Sequence, residues 1–307
     1  MRIASLLASA TEMVCALGLE DQLVAISHEC DYPSGVLDRP RVSRPGFNPA
    51  GLASGAIDAA VRRAMAQHGA VYQLDVERLR AVRPDLILAQ AVCEVCAVPT
   101  SLAEQAAQAL NHGVRVVSLD AHSMADIFEA IRVVARVTGV SERGERLVAT
   151  LEERLERVRR AGRGPKRPGV LAIEWLDPPF VPGHWVPEMI EAAGGRCVAG
   201  TPGRPSRQVT WDRLAALDPD VVIVMPCGFG LAQSRAEAQR YAAELARVAP
   251  RAIASGRAFA VDGSSYFNRS GPRVVDGTEI LAALLHPGPV RDVILEGRAQ
   301  CLQQAAE

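Results

Sequence analysis

The chain has 307 residues, 49% of them hydrophobic, and a formal net charge of −1. That length and apolar content support a large buried core in one big α/β domain or two smaller ones, and the near-zero charge argues against a nucleic-acid or anionic-membrane partner. All but one of the 34 basic residues are arginine, so the single lysine, Lys166, leaves little scope for Schiff-base chemistry.

The opening "MRIASLLASATEMVCALGLED" carries one basic residue and an apolar stretch. Ser5, Ser9, Thr11 and Glu12 interrupt that stretch, so it reads as a first strand running into a helix rather than as a secretory leader. No apolar run reaches the roughly 18 residues needed to cross a bilayer. With seven cysteines, an odd number, and no lipoprotein cysteine near the start, the expectation is a reduced, cytoplasmic protein.

Strands are predicted at 3–7, 23–27, 86–89, 114–119, 170–174, 221–225 and 258–261. Several are near-continuous apolar runs, as parallel strands covered on both faces require. Helices are predicted between them, for instance at 10–18 and 186–194, each ending in glycine. The alternation defines an α/β protein with parallel sheets. From 123 to 162 no strand is predicted. "MADIFEAIRVVARVTGVSERGERLVATLEERLERVRRAGRG" has helical composition and charges at i,i+4 spacing. It reads as one long or twice-broken helix between two lobes, giving an N-terminal lobe 1–122, a bridge 123–164 and a C-terminal lobe 165–307.

The lobes echo each other. Residues 77–87, "ERLRAVRPDLI", match 212–222, "DRLAALDPDVV": an acidic residue, Arg-Leu, a short helix, then Pro-Asp into a buried strand. Residues 12–18, "EMVCALG", match 188–194, "EMIEAAG", in the same order. Internal duplication follows, with an extra loop at 31–71 of the first lobe.

Ligands of open parallel sheets sit beyond the carboxyl ends of the strands. There the sequence places Ser9 and Thr11, then His28, Cys30, Asp31 and Tyr32, then Cys93 and Cys96, then Asp120 and His122. In the second half come Trp175, Phe180, His184 and Trp185, then Cys227 and Phe229, then Tyr266, Phe267 and Arg269. Aromatics make up only 4% of the chain, so their concentration at these ends is informative. If the lobes face each other, the aromatics wall one cleft suited to a large, flat, partly apolar ligand. No G-x-S-x-G, Walker loop or H-E-x-x-H occurs, so no enzyme is indicated.

These residues resemble the cobalamin-binding (BtuF-like) branch of the helix-bridged substrate-binding proteins, the family that also holds iron-siderophore and haem binders. The resemblance covers nearly the whole chain. It rests on "RIASLLASATEMVCALGLEDQLVAISHECDYP", the two acid-Arg-Leu…Pro-Asp units and "EWLDPPFVPGHWVPEMIEAAGG". It implies two Rossmann-like lobes joined by a long backbone helix, with a cobalamin or other corrinoid held between them. It also makes Tyr32, in Asp31-Tyr32-Pro33, the aromatic that packs on the corrin. Glu77 and Asp212 become the acids that dock each lobe on an ABC transporter permease; an intracellular corrinoid acceptor is the other partner in view. The expected ligand wall is Ser9, Thr11, His28, Asp31, Tyr32, Cys93, Trp175, Phe180, Trp185, Cys227, Phe229 and Tyr266, in a monomer. Haem, a ferric siderophore, or an intracellular metal-dependent enzyme or sensor on the same fold are the alternatives.

The cysteine set departs from the family pattern. Cys93-x-x-Cys96 follows a strand, with Pro99 three residues on, which is unlike a redox pair at a helix start. His28, Cys30 and Cys227 stand at other strand ends and could complete a zinc or iron site with Cys93 and Cys96, although structural zinc usually takes two close pairs. Small pocket-lining thiols, or a thiol or imidazole donor to the ligand's own metal, are the other readings.

Overall fold

The computed structural model describes residues 1–68, 70–91, 98–110, 113–164, 166–287 and 295–302. In it the apolar runs pair into two separate parallel sheets. The first has the order Leu23–Ala25, Ile3–Ser5, Leu86–Ala89, Arg115–Ser118. The second has the order Arg196–Cys197, Gly169–Ile173, Val221–Val224, Ala258–Val261, and ends on an antiparallel edge strand, Ala299–Cys301. Taken in chain order within each lobe, both parallel sets run second, first, third, fourth. Strands such as Leu86–Ala89 and Val221–Val224 are buried along their whole length, which is why they read as unbroken apolar runs.

The echoed sequences occupy equivalent places. Each acid-Arg-Leu unit forms a short helix, Val76–Val82 and Trp211–Ala215. Arg83 and Asp218, the residues before the two prolines, have φ of 43° and 44°. A left-handed residue after a helix followed by proline stops the helix and turns the chain. The next aspartate then pins the start of the lobe's first strand. Asp85 Oδ2 accepts from the Arg2 amide at 2.7 Å and Asp220 Oδ2 from the Gly169 amide at 2.7 Å. In return the amides of Asp85 and Asp220 donate to the carbonyls of Arg2 and Gly169, both at 2.8 Å. Pro-Asp is therefore a repeated clip between first and third strands, and the shared strand order and clip geometry fit duplication.

The region between the sheets is helical, as its composition predicts, but is broken once. Helix Met124–Val137 opens on a Ser123/Asp126 capping box, and helix Ser141–Ala161 follows a turn at Gly139. The two pack so closely that a Cβ on Gly144 would overlap that of Ala135. At about 1.5 Å per residue, 21 residues span roughly 30 Å, enough to cross between lobes. Arg143 near its start donates to the carbonyls of Leu17 and Gly18. Arg154 further along binds Glu279 at 2.7 and 3.0 Å and also Asp276. Gly162 at its end packs on Gly194, where φ is +84° and a side chain would overlap the Gly162 carbonyl.

One apolar core takes in helix Ala8–Ala16, the bridging helices, helix Val186–Ala192, helix Val274–Leu285 and the facing sides of both sheets. Separate cores cover the outer faces of the second and first sheets. The lobes thus share an interior, which opposes free hinge motion. The segment 31–71, expected as loop, is largely structured. A hairpin of Ser43–Pro45 and Tyr72–Leu74 carries a 15-residue helix, Ser54–His68. Its neighbourhood, "SRPGFNPAGLASG", is so rich in turn formers that the short helical pattern beyond it is obscured.

Candidate functional site

The strand ends of the two sheets do come together, and buried charge holds one side of the junction. Glu12, in helix Ala8–Ala16, keeps 2% of its side-chain surface exposed. Arg273 meets it with two contacts, Nε to Oε2 at 3.0 Å and Nη2 to Oε1 at 2.5 Å. Arg269 reaches the same carboxylate at 3.2 Å and forks onto Asp31 at 2.5 and 2.8 Å. Burial on its own would lower the Arg269 pKa, but the bond and charge of Asp31 and the charge of Glu12 raise it. Burial likewise works to raise the Asp31 carboxyl, and the Arg269 bond and charge overcome it and hold the group below the usual range. Ser9 Oγ sits 3.3 Å from Ser270 Oγ at the same seam. Arg269 is visible at a strand end in the sequence. Its partner Glu12 lies 257 positions away, and only the fold reveals the pair.

Tyr32 stands at the edge of this cluster. Its ring lies 4.3 Å from the Arg273 guanidinium carbon, and 49% of the residue is exposed. Arg273 and Arg298 also lie over Tyr266, at 5.5 and 5.4 Å. In the C-terminal lobe Trp175 meets Phe229 edge-on at 5.4 Å and donates its indole N–H to the Asp177 carbonyl at 3.1 Å. Phe180 pairs with Trp175 in a small antiparallel sheet built from Trp175–Leu176, Pro179–Val181 and Arg207–Gln208.

Other expected wall residues have different work. Thr11 is fully buried, donating to Ser5 Oγ at 2.8 Å and lying 3.0 Å from Cys30 Sγ, so both point into the N-terminal lobe rather than the cleft. Trp185 is 8% exposed and donates its indole N–H to the Phe267 carbonyl at 2.7 Å, which makes it an anchor of the C-terminal lobe. Phe267 is fully buried. The indole and phenyl rings that pin a loop and those that face a ligand look alike in sequence, and only the hydrogen bond separates them.

His28 is fixed through Nδ1, 2.7 Å from Ser43 Oγ, while buried Nε2 lies 3.2 Å from Glu29 Oε1 without hydrogen-bond geometry. That approach of His28 keeps the Glu29 carboxyl below its ordinary pKa. Its ring also tilts against Tyr72 at 5.0 Å. Cys227 is half-buried, its amide bonded to the Glu174 carbonyl at 3.1 Å. Cys93 and Cys96 lie outside the described residues. Among the described residues, no three His, Cys, Asp or Glu side chains converge as a metal site would need, so His28, Cys30 and Cys227 are not brought together. Elemental analysis of protein purified without chelator is expected to find zinc and iron well below one per chain. Stoichiometric metal that disappears in Cys93→Ala or Cys96→Ala would instead establish a site built on the C-x-x-C.

Glu77 and Asp212 are 82% and 88% exposed, each in the first turn of its lobe's short helix. They are held only by neighbouring arginines, Arg80 at 2.5 Å and Arg247 at 2.9 Å.

Two α/β lobes joined by bridging helices, with strand ends that meet at a charged seam, define the architecture. The chain belongs to the periplasmic binding protein family, which matches residues 3–255. A vitamin B12-binding protein of Pectobacterium carotovorum is 29% identical over 163 residues, 53% of this chain and 47% of that protein, so the match spans about half of its length. A vitamin B12-binding protein of Vibrio cholerae is 24% identical over 286 residues, 92% of this chain and 88% of its own. A periplasmic heme binding protein from Pseudomonas aeruginosa has the same fold, with a TM-score of 0.68 at 25% identity, covering 94% of this chain and 93% of that one. These matches bear out the helix-bridged family resemblance. Among the described residues no helix is long and apolar enough to cross a membrane.

Proposed function

We propose that the chain binds cobalamin or a related corrinoid between its lobes, without chemical conversion. The observation that carries this reading is Tyr32. A large aromatic side chain left half exposed beside the charged seam, backed by a guanidinium, offers one face for stacking on a flat ligand. Half-buried Trp175 supplies further aromatic surface from the C-terminal lobe, and full-length similarity to a vitamin B12-binding protein supports the corrin over other flat molecules. Haem is the second reading, because a haem-binding structure matches at 25% identity over most of the chain. Visible absorption separates them, since bound corrinoid and bound haem have distinct bands. Stoichiometric corrinoid retention supports the first reading, and retention of haem alone favours the second.

Glu77 and Asp212, as matched exposed acids on equivalent helices, suit docking on basic groups of a permease or of an intracellular corrinoid acceptor. The odd cysteine count is the ground for our proposal of a reduced, cytoplasmic protein. Residues 3–14 are uniformly buried and include a central strand, so cleavage within them would remove part of the core. A mature N-terminus beyond residue 15, or a native disulfide, contradicts the compartment.

A further inference from the structure

Helix Ser54–His68 belongs to the N-terminal lobe by sequence, yet its first turn is seated on the other lobe. The Ser54 amide donates to Glu237 Oε1 at 2.9 Å, and Glu237 is only 3% exposed. Gly55 lies so close to the Asp177 carboxylate that a side chain there would overlap it. Tyr241 donates to Asp177 Oδ2 at 3.2 Å from the other side. A helix N-terminus carries unpaired N–H groups and partial positive charge, so two carboxylates at that end form a favourable seat. Asp177 sits in the turn whose carbonyl holds the Trp175 indole, and the helix packs on strand Trp175–Leu176. The seat is therefore continuous with the aromatic wall of the cleft.

The rest of the helix is loosely held. Among its positions 54 to 67, Ser54 is the one buried. Among the described residues, none from 46 to 68 takes part in any of the three apolar cores. Ile57, Ala60, Val61, Ala64 and Met65 are half-buried at i, i+3, i+4, i+7 and i+8, an apolar stripe along one face. The lobes themselves are braced by a shared core, by Glu12 with Arg269 and Arg273, and by Arg154 with Asp276 and Glu279. Moving one lobe against the other must break all of these. Lifting the helix breaks its seat and the partial packing of its stripe, and leaves those braces in place.

We propose that helix Ser54–His68 is a movable roof over the cleft. It is latched shut by Asp177, Glu237 and Tyr241 of the opposite lobe, and its apolar stripe forms the third wall against the ligand. The ligand class rests on the binding reading above; the latch does not. A roof of this kind admits ligand by local release while the lobes stay together. It also sets the thickness of ligand that can be enclosed, through Ile57, Val61 and Met65.

The test is hydrogen exchange on the free protein, followed by ligand release, for Asp177→Ala/Glu237→Ala and separately for Gly55→Ala. In both variants the amides of 55–66 should exchange at least tenfold faster than in the wild type, with those of strand Val221–Val224 unchanged as a control for folding. Release of bound cyanocobalamin or haemin, whichever the wild type takes up, should be at least fivefold faster. Unchanged exchange over 55–66 overturns the latch. Faster exchange with release rates inside twofold of wild type overturns the roof. If the wild type takes up neither ligand, the corrinoid and haem readings fail, and the latch is judged on exchange alone.

Discussion

Glu12→Gln will lower the stability of the free protein by about 3–5 kcal/mol, the range typical of breaking a buried ion pair from one side. The carboxylate is almost fully enclosed and faces two guanidiniums whose side chains are 10% and 14% exposed. Glutamine keeps the shape but removes the charge. Arg273 then loses its one bidentate partner among the described residues, and Arg269 keeps Asp31 as its charged partner, with Ser264 Oγ and the Glu29 carbonyl. Two like charges remain close together with little water, in a position where solvent screening is weak. Urea unfolding measures the change. The double variant Glu12→Gln/Arg273→Gln should recover part of the loss, because it removes the cation left unpaired. By contrast, removing an exposed pair such as Arg157 with Glu153 should cost below about 1 kcal/mol. A loss below about 1 kcal/mol for Glu12→Gln would show that the buried cluster does not brace the lobes.

Tyr32→Ala and Trp175→Ala should each weaken corrinoid binding by roughly tenfold or more, since an aromatic face lost from a ligand contact removes about 1–3 kcal/mol. The two residues approach from opposite lobes, so each tests one wall. Tyr32 is half exposed and its ring contacts only the Arg273 head among the ring contacts of the described residues, so its removal should leave folding nearly intact. Trp175 also ties its indole to Asp177, so Trp175→Phe is the companion variant that keeps aromatic bulk and loses that bond. It should retain most of the affinity. Trp185→Ala should behave differently and reduce stability first, because that indole is buried and bonded to Phe267. Unchanged affinity in both Tyr32→Ala and Trp175→Ala, with intact folding, removes the aromatic-wall idea.

These contrasts show what a sequence of this kind can and cannot reveal. The strands were readable because burial on both faces leaves no room for polar alternation: 86–89 and 258–261 are predicted with the bounds they have. The repeat was readable because Pro-Asp performs the same clip twice. The strand-end rule put Ser9, Asp31 and Arg269 at strand ends that meet in one seam, since it depends only on topology. It could not sort side chains at those ends. Thr11 and Cys30 turn inward through a hydrogen-bond network with Ser5 and Ser27. Trp185 turns inward through a carbonyl 82 residues away. Helix Ser54–His68 was hidden because turn formers crowd its start and mask the helical spacing of Ile57, Ala60, Val61, Ala64 and Met65, and its seat on residues 177, 237 and 241 is visible only in the fold. Glu12 has the same character: a buried acid is conspicuous only beside the arginines that justify it.

Parallel calorimetric titration of the purified chain with cyanocobalamin, cobinamide and haemin tests the central claim most directly. The prediction is one site per chain for a corrinoid, with affinity in the micromolar range or tighter, a negative heat-capacity change from apolar burial, and weaker binding in Tyr32→Ala. Saturable binding of haemin with no heat from either corrinoid, or a corrinoid isotherm indifferent to Tyr32 and Trp175, would contradict it.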